Sequence, residues 1–105
     1  MFDMREIVKR YFKVTLPSGL ELELEPPKMK VLRKLMRLAK ASQSDDFTED
    51  QLDELIEAVA IMLSKNNKKH KITAQEVEDM LDLDNMLDLV IAYFNWVEEI
   101  SDSKN

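Results

Sequence analysis

"YFKVTLPSGLELELE", residues 11–25, is where this chain keeps a period of two. Apolar and polar residues alternate on both sides of Leu16-Pro17-Ser18-Gly19-Leu20, and successive strand residues face opposite sides of a sheet. Pro17 presets φ for a type I turn, and Gly19 suits the left-handed position of the bulge that follows. Such a turn sets Leu16 against Leu20, so Val14 meets Leu22 and Phe12 meets Leu24 on one face. Lys13 then meets Glu23, and Thr15 meets Glu21, on the other. A lone hairpin is marginal in water, so its apolar face must be covered by a helix. The expected fold is α+β, mostly α: an N-terminal hairpin over about 11–25, packed on about four helices in a single domain spanning 1–105.

The rest of the chain has helical spacing and few breakers, with one Gly and three Pro in 105 residues. A first helix is expected over about 27–41, with Pro27 in its first turn and Val31, Leu32, Leu35, Leu38 and Ala39 on one face. A second, over about 48–65, opens with a capping box in which Thr48 and Gln51 serve each other's backbone amides, and Phe47 and Leu52 form the staple. Its stripe is Leu52, Leu55, Ile56, Val59 and Leu63, and "KNNKKHK" breaks it. Thr73 and Glu76 repeat the box for a third helix over about 73–82. The fourth is expected over about 84–100. Asp3 and Glu6 mark a weaker start for a short N-terminal helix near Phe2–Ile7.

Net charge is −6, and the charges are sorted into blocks. Residues 28–40 hold Lys28, Lys30, Arg33, Lys34, Arg37 and Lys40 without an acid. Residues 45–57 hold seven acids without a base, and residues 76–102 hold nine. Oppositely charged helices lying side by side account for this pattern. A basic helix directed at nucleic acid is the rival reading, set against an acidic chain. Cysteine is absent, which excludes disulfides, thiolate zinc sites and cysteine nucleophiles and suits a reducing cytoplasm. The first residues lack the apolar segment of about 7–15 residues that a signal peptide needs. The runs "AVAIML" and "LVIAYFNWV" fall short of the ~20 residues of a membrane helix. A soluble, cytoplasmic protein is expected.

"MLDLDNMLDLVIAYFNW", residues 80–96, raises the question of metal. An EF-hand loop started at Asp82 finds Asp84 at its third position. It then meets Met86, Leu87 and Tyr93 where an acid or amide, Gly and Glu are required. The helix reading explains more: Asp84 caps the fourth helix, and Asp88 lies in its first turns, where the macrodipole favours negative charge. No metal or other cofactor is expected. His70, the one histidine, sits in a Lys/Asn loop and is expected in solvent. With no Gly-rich phosphate loop, GxSxG or metal-spaced cluster, catalysis is not expected. The apolar part of the helix covers roughly 220° of arc, against the ~100° stripe of an ordinary surface helix. It is either central to the core or packed on the core by one flank and on a partner by the other. Leu89, Tyr93, Trp96 and Ile100 form the candidate contact flank, for another protein or for self-association, because Tyr and Trp are enriched at interface hot spots.

"FKVTLPSGLELELEPPKMKVLRKLMRLAK", followed by "ITAQEVEDMLDLDNMLDLVIAYFNWV", resembles the small tail assembly chaperones of long-tailed phages and prophages of Gram-positive hosts. The resemblance lies in the order of parts: a hairpin ending in Glu-Pro-Pro, a basic helix, then a T-x-x-E start and a "DLD" helix. It covers most of the chain and rests on cap grammar and hydrophobic spacing. It implies a non-enzymatic protein of the host cytoplasm that binds the helical tape measure protein, helps recruit tail tube subunits, and is missing from the finished tail. No binding residue is carried over from it. The alternative is a small acidic regulatory adaptor or nucleic-acid-associated protein using helix 28–40.

Overall fold

The computed structural model describes residues 11–102, with side chains as far as Glu99. The N-terminal start near Phe2–Ile7 and the side chain of Ile100 lie outside the described residues. The architecture is α+β and mostly α: β1 (Phe12–Thr15), β2 (Glu21–Leu24), α1 (Met29–Ala41), α2 (Glu49–Ser64), α3 (Ala74–Met80) and α4 (Leu83–Asp102).

The hairpin has the expected register, Phe12 to Leu24, Lys13 to Glu23, Val14 to Leu22 and Thr15 to Glu21. Gly19 takes φ 94°, its amide donates to the Leu16 carbonyl at 2.8 Å, and the Leu16 amide donates to Leu20 at 2.9 Å. Leu16, Leu22 and Leu24 are buried, and Phe12, Val14 and Leu20 pack against them. The outer edge of β2 is also engaged. The Glu25 amide donates to the Lys65 carbonyl at 2.9 Å and the Asn67 amide to the Glu23 carbonyl at 3.0 Å, with Leu24 and Asn66 bridged between them. Part of the supposed helix breaker thus pairs with β2 through a single isolated bridge, covering an edge that would otherwise invite pairing.

Three helices open with reciprocal caps. Thr48 accepts from the Gln51 amide at 3.1 Å, and the Thr48 amide donates to Gln51 Oε1 at 2.9 Å. Thr73 and Glu76 repeat this at 3.1 and 3.3 Å. At α4 the expectation needs correcting, because the cap is Asp82 rather than Asp84. Asp82 Oδ1 accepts from the Asn85 amide at 2.8 Å, and Asn85 Oδ1 accepts from the Asp82 amide at 3.2 Å. Asp84 lies in the first turn, exposed. Leu81 turns extended (φ −124°, ψ 139°) to reach this cap, so α3 ends at Met80. Pro27 also lies outside α1, two residues before Met29 and just ahead of the N-cap Lys28. The residues flanking the caps, Phe47 and Leu52, Ile72 and Val77, Leu81 and Met86, all belong to or pack on the core.

The central element is α2, which meets α1, α3, α4 and β2 and buries Leu55, Ile56, Ala58, Val59, Ala60, Met62 and Leu63. The wide apolar arc of α4 does not make it the centre, since its buried side chains are Met86, Val90 and Tyr93. The basic α1 and acidic α2 are neighbours, but their contact is apolar. Among the described residues only Arg37 and Glu54 form an ion pair between them, at 3.8 Å with both side chains exposed. Such a pair contributes ~0–1 kcal/mol. No described helix is long and apolar enough to cross a membrane.

Candidate protein-docking site

The aromatic flank of α4 is where the hairpin is secured. Tyr93 is 1% exposed, and its hydroxyl donates to the Glu25 carbonyl at 2.9 Å. Its ring meets Phe12 edge-on, with centroids 5.6 Å apart at 74°. Trp96 lies 5.6 Å from Tyr93 and 5.7 Å from Phe12. Burial, with the Glu25 carboxylate as the second cause, holds the Tyr93 phenol well above its ordinary pKa. Of the contact flank expected from sequence, Tyr93 is therefore a core residue. Leu89 and Trp96 are half-buried and pack on the same core. Phe12, at the open end of the hairpin, and this flank cover each other.

Apolar surface is instead presented on α2, at Ile61, which is 53% exposed. It lies one turn after Glu57 and one turn before Lys65, on the helix side away from the stripe. Two hollows share it. The larger, of about 780 Å³, has Ala60, Ile72 and Ala74 among its walls and Lys65, Lys69, Lys71, Glu25 and Glu57 at its rim. The smaller, of about 300 Å³, has Val31, Met62 and Tyr93 for walls, with Lys28 and Lys65 as its charges and no acid. Ile61 is the ridge between them. Side chains three or four residues apart on one helix lie ~5–6 Å apart, so a partner helix could seat one on either side.

The rim is held by a loop that sequence reasoning treated only as a helix breaker. Asn66 is 3% exposed. Its amide nitrogen donates to the carbonyls of Leu63 and His70 at 2.8 and 2.7 Å, and its oxygen accepts from the Lys68 and His70 amides at 3.0 Å each. Ser64 ties the far end, donating to the Ile72 carbonyl at 2.9 Å and accepting from the Ile72 amide at 2.9 Å. Lys69 takes φ 54° within this loop. Lys69 and Lys71 of the rim are thereby carried on a fixed backbone while their own side chains reach solvent. His70 is exposed, as its neighbours implied.

A signal for Ile61 did exist in the sequence: a β-branched apolar residue between Glu57 and Lys65, on the face a surface helix normally leaves polar. Nothing comparable marks Asn66, whose four bonds depend on where the chain turns after it. Among the described residues no group of three or more His, Cys, Asp or Glu side chains could hold a metal ion. Comparison of the chain with protein-family models, curated proteins and solved structures returns no match.

Proposed function

We propose that this chain is a non-enzymatic assembly chaperone that holds a helical segment of another protein in the double hollow astride Ile61. By its resemblance to the tail assembly chaperones, that protein is the tape measure protein of a long-tailed phage. The shielded complex would form in the host cytoplasm and recruit tail tube subunits. The observation that carries the docking part is an exposed Ile61 set between two apolar-walled hollows with a mainly cationic rim. An aggregation-prone amphipathic helix needs its apolar stripe covered, and a ridge between two hollows matches that stripe. Tail tube recruitment rests on the resemblance alone.

The test is co-production with the tape measure protein of the same phage. Wild-type chain should keep that protein soluble and co-purify with it. Ile61→Glu should weaken the complex by roughly tenfold or more, since ~1.4 kcal/mol is a factor of ten. As an exposed substitution it should leave stability within ~0.5 kcal/mol. Equal binding by both forms would remove the groove from the account. Failure of the wild type to bind would remove the chaperone reading itself.

A further inference from the structure

Two outward helix faces carry charge of opposite sign around exposed apolar side chains. On α1, Met29, Arg33, Met36, Arg37 and Lys40 follow one another by four, three, one and three residues, and all five are exposed. On α4, Asp84, Asp88, Ile91, Ala92 and Asn95 follow one another by the same steps, and all five are exposed. These steps keep residues on one side of a helix. Met29 is 60%, Met36 54% and Ile91 50% exposed, which is three of the four exposed large apolar residues among those described. Lys30 adds charge beside the first face, as Glu98 and Glu99 do beside the second.

Neither face can reach the other within one chain. On α1 the buried Leu35 and Leu38 lie on the opposite side, and on α4 so do the buried Met86, Val90 and Tyr93. The two helices are in contact within the molecule, and the side chains each buries are on those inner sides. We propose that these two outer faces dock on each other between two copies of the chain, with Met36 against Ile91 and α1 cations on α4 carboxylates. With Met36 over Ile91, a cation meets Asp88 whichever way the helices run: Arg33 if parallel, Lys40 if antiparallel. Opposite charges facing each other fix register, and the apolar centre supplies the contact that surface ion pairs alone do not. Because the two faces are different, each copy offers one donor and one acceptor. Two copies can satisfy both reciprocally, or copies can chain head to tail. The inference does not depend on what the Ile61 hollows hold.

Mass in solution against a charge swap decides it. The wild type should exceed its 12.3 kDa monomer mass in light scattering as concentration rises. Lys30→Glu with Arg33→Glu, and separately Asp88→Lys with Glu99→Lys, should each return the monomer. An equimolar mixture of the two variants should associate again, since the reversed faces then complement each other. All four positions are exposed, so unchanged circular dichroism is expected for each. The chain has no cysteine, which allows a second measurement. Met36→Cys and Ile91→Cys chains, mixed and oxidised, should cross-link to each other several-fold more than either does to itself. A wild type that stays monomeric at millimolar concentration, an unchanged mass in either reversed variant, or no excess of mixed cross-link overturns the proposal. So does loss of DNA retention on α1 reversal with mass unaffected, which would give that face to nucleic acid.

Discussion

Asn66 makes four hydrogen bonds to backbone groups from one buried amide, and no hydrophobic side chain could replace them. Asn66→Ala should cost ~2–4 kcal/mol in a denaturant melt, because buried donors and acceptors are left without partners. A loss under ~1 kcal/mol would show that water takes over its bonds. Tyr93 is the other single residue with long reach. Tyr93→Phe keeps the ring among Phe12 and Trp96 and removes the bond to Glu25, so a loss of ~0.5–1.5 kcal/mol is expected. Its phenol is raised in the fold above the ordinary 10.0, so the bond's stabilisation is complete below pH 10. It is lost as pH climbs from there through the folded value, because the unfolded chain ionises first. Between pH 9 and 11 the wild type should therefore lose more stability than Tyr93→Phe does. Parallel curves would mean that the phenol is not what titrates.

The helix starts separate what local sequence can decide from what it cannot. Thr48 with Gln51 and Thr73 with Glu76 were readable because a hydroxyl and a long polar side chain three residues on have one obvious use. "LDLDN" offers two aspartates two residues apart, and the choice falls on Asp82 because its partner is the short amide of Asn85. Asp82→Ala should accordingly lower thermal stability by ~1 kcal/mol, and Asp84→Ala only by ~0.3–1 kcal/mol through the macrodipole. The reverse order would restore Asp84 as the cap. Hairpin register was legible for a similar reason, since Pro17 and Gly19 fix the turn and period two fixes the rest. The aromatic flank was not. An arc of apolar residues tells that α4 is covered on several sides, but not which side receives the hairpin. Trp96→Ala should now read as loss of a half-buried packing residue, about 2 kcal/mol in a chemical melt, below the ~3–5 of a fully buried one. Unchanged stability with weakened binding would return Trp96 to a partner surface.

At the level of the molecule, composition indicated a mostly helical chain, and that holds. The two hollows could not be read in advance, because Ile61, Val31, Ile72 and Tyr93 come from four separate segments that only the fold collects. Equally, the charge blocks foretold that α1 and α2 would be neighbours, yet their outward carboxylates and cations remain for other uses. The hydroxyl of Tyr93 lies 68 residues from the carbonyl it holds. In the order of synthesis, the hairpin is made first and secured last. Its β2 edge is paired once Asn67 is available, 44 residues after Glu23, but its aromatic face waits for the final helix. At ~5–20 residues per second that interval is roughly 3–14 s, during which Phe12 lacks the cover that Tyr93 and Trp96 provide. The proposed shield of another protein's apolar surface would therefore begin life needing the same service, and a ribosome-bound chain stopped before residue 93 should bind general chaperones that the finished protein ignores.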